Sequence, residues 1–105
     1  MALDVSSIIS AVVPADHPAL PGHFPGQPVV PGVLLLALVS DHAREQLHFR
    51  AGACTWTRIK FMRSVLPEQC FKISLRGNPV QFEFTILSLT DENIATGRCG
   101  SDALA

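Results

Sequence analysis

The chain has 105 residues, a mass of 11.3 kDa, 48% apolar residues and only 16% charged ones. That is one domain, spanning residues 1–105 and short of the roughly 25% charge of an ordinary soluble surface, so it needs a partner to cover an apolar face. A net charge of -1 argues against nucleic-acid binding, yet the charge is segregated: residues 1–43 hold no Lys or Arg, and all eight basic residues fall between Arg44 and Arg98. An anionic partner is therefore expected to meet the second half.

The N-terminus lacks the basic segment of a secretory signal, with Asp4 in its place. The longest apolar run, Val33 to Val39, falls far short of the ~20 residues that span a bilayer, so no membrane segment is expected. Cys54, Cys70 and Cys99 form no metal-ligand spacing and read as buried, reduced thiols of a cytoplasmic protein. No metal or organic cofactor is implied.

In chain order, Val5 to Val13 reads as a first strand. Pro14 to Pro31 follows, with six of the eight prolines plus Gly22 and Gly26, a density that excludes helix and regular strand. Leu20, Phe24, Val29 and Val30 are spaced through it, so an ordered, stiff functional loop is expected. A helix runs from about Val33 to Gln46, apolar on all sides over residues 33–39 and so expected to be buried all round, then polar from Ser40. Strands fill the rest: Ala53 to Val65, Gln69 to Leu75 with Phe71, Ile73 and Leu75 on one face, Val80 to Leu89 with Phe82, Phe84 and Ile86 inward, and Ile94 to Cys99. Short turns between them imply antiparallel pairing. The outcome is an α+β fold: one long buried central helix wrapped by a curled antiparallel sheet, the hotdog arrangement.

The run His23-Phe24-Pro25-Gly26-Gln27-Pro28, continuing to Pro31-Gly32, resembles the signature of the 3-hydroxyacyl-acyl-carrier-protein dehydratases, the FabA/FabZ-like hotdog family. His23, Phe24, Gly26, Pro28, Pro31 and Gly32 match its His-Phe-x-Gly-x-Pro-x-x-Pro-Gly pattern in register. Ile59 to Arg63 and Leu66-Pro67 are similar to its basic strand and turn. The stretch Asp16-His17-Pro18 and the compact C-terminal half resemble the short stand-alone dehydratases of aryl-polyene and type II polyketide pathways.

The resemblance implies dehydration of 3-hydroxyacyl thioesters to trans-2-enoyl thioesters. This chemistry needs a base for the C2 proton, an acid for the departing C3 hydroxyl, and donors for the carbonyl oxygen as it gains charge. His23 suits the base, since a histidine titrates near working pH. Gly32, at the helix N-terminus, offers a free backbone N–H worth ~3 kcal/mol to an oxyanion. His17, His42 and His48 read as structural. The substrate would ride on phosphopantetheine, brought by an acidic acyl carrier protein. Arg58, Lys60 and Arg63 are candidate docking residues, with Arg58 and Lys60 on one strand face and Arg63 on the other unless a bulge intervenes. Leu34, Leu36, Leu38, Trp56 and Phe61 are candidates to line the acyl tunnel.

One departure is central. The family's acid stands five residues after the Gly of Pro-Gly, and Ala37 occupies that position. Asp41, one helical turn on, is a candidate substitute acid. A second possibility is a dimer in which an acid-bearing hotdog homologue completes the site around His23. A third is an engineered or non-catalytic site that still binds the thioester. A hotdog thioesterase is a further alternative, weakened by the same missing carboxylate. The partner is thus a second copy or a hotdog homologue.

Overall fold

The computed structural model describes residues 4–18, 20, 29–50 and 54–101. Five strands and one helix follow in the order β1 (Val5–Ala11), α1 (Gly32–Leu47), β2 (Cys54–Phe61), β3 (Phe71–Gly77), β4 (Gln81–Ser88) and β5 (Asn93–Ser101). They form a single antiparallel sheet in the spatial order β1-β3-β4-β5-β2. The meander β3-β4-β5 is its centre. β1 and β2, which flank the helix in sequence, are its two edges, so the chain crosses the sheet once through α1.

Alternation sets the register. In β3, Phe71, Ile73 and Leu75 are buried, and in β4 so are Phe82, Phe84 and Ile86. Phe84 pairs with Leu75 and Ile86 with Ile73, so the two apolar rows share the concave face. The helix sets Leu35, Val39, Ala43 and Leu47 against that face at i, i+4 spacing. Its end is reversed by His48 in the left-handed region, φ 55°. Both His48 and Phe49 donate backbone N–H groups to the Ala43 carbonyl, and Phe49 turns into the core edge-on to Phe82, ring centroids 4.8 Å apart.

The structure corrects several expectations. The helix is not buried on all sides: Val33 is 78% exposed and Ala37 is exposed, because a single sheet covers only one flank of a cylinder. The first and second strands end at Ala11 and Phe61, earlier than expected, while the last continues to Ser101. The bulge does intervene: β2 pairs Thr57 with Arg98 and then Lys60 with Thr96, so two residues, Arg58 and Ile59, face Gly97 alone. Of the cysteines only Cys99 is buried, Cys54 is half-buried and Cys70 lies exposed in the turn before β3. Half of the proline-rich loop, residues 19 and 21–28, lies outside the described residues, but Leu20 and Val30 are both buried, and Val30 N–H donates to the Val65 carbonyl at 2.8 Å.

A non-glycine residue in the left-handed region carries a steric cost of about 1 kcal/mol. His48→Gly is therefore expected to raise stability by about 0.5–1 kcal/mol, because the helix reversal needs that geometry and His48 is exposed. Urea denaturation of the two proteins checks this; a loss of stability would show that the imidazole holds the reversal in place.

Candidate active site

The helix N-terminus is the part of the expected site that the described residues define. Pro31 precedes it in extended geometry, φ -61° and ψ 144°, and no side chain caps it. The Pro31 carbonyl accepts from both Leu34 N–H at 3.0 Å and Leu35 N–H at 3.3 Å. Among the described residues, the N–H groups of Gly32 and Val33 have no backbone acceptor. There is no acidic side chain in the first turn, so the positive end of the helix dipole is not neutralised locally. An oxygen gaining negative charge is favoured there.

Gly32 is also where β2 comes closest. A Cβ on Gly32 would lie 2.9 Å from Cζ of Phe61, whose ring points its tip at the helix entrance. Phe61 pairs with Ala95 on the concave side of β5, yet it is 47% exposed because it stands at the sheet edge. The helix N-terminus is thus flanked by an aromatic ring and by the exposed side chain of Val33.

Val33, Ala37 and Asp41 follow at one-turn intervals along the open flank of α1, all exposed. Ala37 brings no chemistry of its own. The Asp41 carboxylate is engaged by the Arg44 guanidinium, an exposed i, i+3 pair. His23, the expected base, lies outside the described residues. Of the expected tunnel residues, Leu34, Leu36, Leu38 and Trp56 are half-buried against the core, and Trp56 stands edge-on to both Phe82 and Phe84. His42 is half-buried on the helix, with Nδ1 3.9 Å from Glu45.

The three candidate docking residues do not converge. Lys60 projects from the convex face of the sheet, away from the helix, and Arg58 sits on the bulge with φ 56°. Arg63 lies beyond the end of β2 and forms an ion pair with Glu92 at 2.8 Å. No three His, Cys, Asp or Glu side chains among the described residues come together as metal ligands. No described helix is long and apolar enough to cross a membrane.

Residues 4–98 match the family model of the ApeI-like dehydratases, described as ApeI dehydratase. The chain belongs to this family. It is 33% identical over 72 residues to the bifunctional enzyme LpxC/FabZ of Porphyromonas gingivalis, across 61% of this chain and 16% of that protein. It is 33% identical over 78 residues to the 3-hydroxyacyl-[acyl-carrier-protein] dehydratase FabZ of Syntrophomonas wolfei, across 60% of this chain and 52% of that one. The chain thus spans about half or less of these curated relatives. Among solved structures, the dehydratase heterocomplex ApeI:P of Xenorhabdus doucetiae aligns with a TM-score of 0.76 at 20% identity, covering 90% of this chain and 85% of that one. An uncharacterized protein of Erwinia carotovora aligns at 0.74 and 22% identity, covering 98% and 89%. The PaaI protein of E. coli, from a phenylacetic acid degradation operon, aligns at 0.58 and 18%, covering 91% and 72%. The ApeI-like fold of this chain is the hotdog fold.

The contact between Phe61 and Gly32 makes a signed prediction. Alanine is favoured over glycine within a helix by up to about 1 kcal/mol. In the native chain the added methyl meets the Phe61 ring, so Gly32→Ala is expected to be neutral or destabilising. In a Phe61→Leu background the same change is expected to stabilise by about 0.5 kcal/mol or more. Denaturation of the four proteins in a double-mutant cycle measures the coupling; additive effects would mean that the ring does not press on the helix entrance.

Proposed function

We propose that this chain is a hotdog dehydratase subunit that acts on 3-hydroxyacyl thioesters carried on acyl carrier protein, with a second hotdog subunit completing the site. His23 takes the C2 proton. The carbonyl oxygen, as it gains charge, is held by the Gly32 N–H at the uncapped helix end. An acid on the partner protonates the C3 hydroxyl, which leaves as water, and the product is the trans-2-enoyl thioester. No cofactor beyond the substrate's phosphopantetheine takes part, and the reduced thiols suit a cytoplasmic setting.

The observation that carries this reading is the open flank of α1. Val33, Ala37 and the Phe61 ring form an uncovered surface beside the helix N-terminus. Burying a side chain the size of Val33 is worth about 1.5–3 kcal/mol, so a second subunit has reason to bind there. With Ala37 where the resembled family's pattern implies an acid, two copies of this chain would lack the proton donor in both sites. A partner bearing the acid supplies it in one. That the ApeI:P structure is a heterocomplex supports an unlike pairing. The same residue, Ala37, favours a second reading, in which the chain is a non-catalytic thioester-binding subunit of such a pair.

Hydration of a trans-2-enoyl thioester, the reverse reaction, separates these readings. The chain alone is expected to be silent. Ala37→Asp is expected to raise turnover by about 10²–10⁴-fold, the usual range for a positioned acid, and His23→Ala to abolish the gain. If the unmodified chain matches Ala37→Asp, the proton comes from Asp41 or water, and Asp41→Asn tells which. If Ala37→Asp stays silent, even beside an acid-bearing homologue, the non-catalytic reading stands.

The pairing itself has a separate test. Val33→Asp places a charge on the open flank, in a first turn that tolerates an acid. Light scattering is expected to show the dimer lost, with the circular dichroism of the folded chain unchanged. A dimer that persists would place the contact elsewhere.

A further inference from the structure

The two edges of the sheet are built differently. β2 carries Arg58 and Lys60, and the bulge between Thr57 and Lys60 bends it. Charge and bulges are devices by which an edge strand avoids pairing with another chain. β1 has neither. It reads Val-Ser-Ser-Ile-Ile-Ser-Ala over Val5–Ala11, with no charged residue, no proline and no glycine, and it pairs with β3 without a register shift. Among the described residues no further strand pairs with its outer side. At ~3.4 Å per residue, β1 presents about 24 Å of regular, uncharged edge.

The strand is complementary to an antiparallel copy of itself. Ile8 is its midpoint. A second copy related by a two-fold axis at Ile8 sets Ile8 against Ile8, Ser6 against Ser10, Ser7 against Ile9 and Val5 against Ala11, so the whole strand is paired. The faces agree as well. Ser6, Ile8 and Ser10 share the convex side, while the odd-numbered residues lie on the concave side with the buried Leu75, Ile73 and Phe71 of β3. Ile8 is 66% exposed and Val5 47% exposed, and this pairing covers both. The serine pairs flank the isoleucines, within reach of hydrogen bonds across the joint. No like charges stand opposite one another. Arg76 of one copy and Lys72 of the other are three strand spacings apart, about 14 Å, which exceeds the ~8 Å screening length of physiological salt.

We propose that β1 is a homotypic joint: two copies of this chain pair edge to edge through Val5–Ala11 about a two-fold axis at Ile8, and their two five-stranded sheets become continuous. The β2 edge of another copy is a poorer occupant. Its bulge interrupts the register, and a β1–β2 contact between copies leaves a free edge at each end, which builds an open chain. The symmetric contact is complete once two copies have met. It lies at the edge opposite Phe61, which leans over the helix entrance, so it does not compete with the cover proposed for the helix flank. With a different hotdog subunit on each flank, the assembly closes at four chains. Seven residues a side is small beside a standard interface, so the joint forms at high protein concentration, on the order of 100 μM, and leaves dilute protein to the flank contact alone.

Sedimentation velocity over about 1–500 μM tests the joint in the Val33→Asp protein, where the flank contact is removed. This parent is expected to pass from monomer to dimer across the range. Ile8→Lys and Ile8→Glu each place a charge at the axis, at an exposed position where circular dichroism and melting temperature are expected to hold. Either variant alone sets like charges against each other and is expected to weaken the dimer about tenfold or more. An equimolar mixture of the two is expected to restore it, more fully at low salt. That restoration separates a joint centred on Ile8 from a general apolar patch, which either charge would abolish. A parent that stays monomeric throughout, variants that dimerise as the parent does, or a mixture no tighter than its components would each overturn the proposal. So would a growing series of larger species from the parent, since that is pairing with a different edge.

Discussion

A helix whose first two turns are apolar around the whole circumference needs two covers there, and the described residues of this chain supply one. The concave sheet takes Leu35, Val39, Ala43 and Leu47 and leaves Val33 and Ala37 in solvent. Nothing else among the described residues lies over that flank. The low share of charged residues has the same origin: a chain built to be half of a core does not need a full polar surface. The hotdog topology enforces the asymmetry, because β1 and β2 are the sheet's two edges and the helix passes between them on a single side.

This constraint also locates the chemistry. The helix N-terminus is open for the same reason that Val33 is exposed, since the sheet does not reach round it. Phe61 leans over Gly32 from the edge strand, so the uncapped N–H groups lie at the margin between the chain's own core and its uncovered flank. A site on such a seam can be divided between two chains. In the proposed pairing, the loss of a carboxylate at Ala37 is tolerable in one subunit because the other carries it. The helix keeps its packing, as the sheet side of α1 does not involve residue 37.

Much of this was legible in the sequence. The alternation in Phe71 to Leu75 and in Phe82 to Ile86 marks β3 and β4, because a sheet covered on one face imposes period two. The apolar run from Val33 and the proline-rich segment before it placed the helix entrance within one residue. The proline-glycine motif indicated the family, and the family match over residues 4–98 agrees with it. What hydropathy does not encode is whose surface covers an apolar position, so the helix read as enclosed when half of it faces outward. Cys70 misled for a related reason: a small apolar side chain fits a turn as well as a core. The bulge at Arg58 carried no signal, since the glycine that normally marks such geometry is on the partner strand, at Gly97. His23 falls outside the described residues, and its role rests on the motif.

That bulge ties the two faces of the sheet together. By opposing two residues to one, it lets Arg58 and Ile59 face Gly97. A Cβ at Gly97 would lie 2.5 Å from Cδ1 of Ile59 and 2.6 Å from the Phe84 ring, so the glycine is what admits Ile59 to the concave side. Arg58 takes the left-handed geometry that results, at a cost of about 1 kcal/mol that a glycine in its place would avoid. Inside, the bulge packs Ile59 against the core; outside, Arg58 and Arg98 both line a shallow depression on the convex face of the sheet. Packing of Ile59 accounts for the bulge but not for an arginine on it, since glycine would serve the core better.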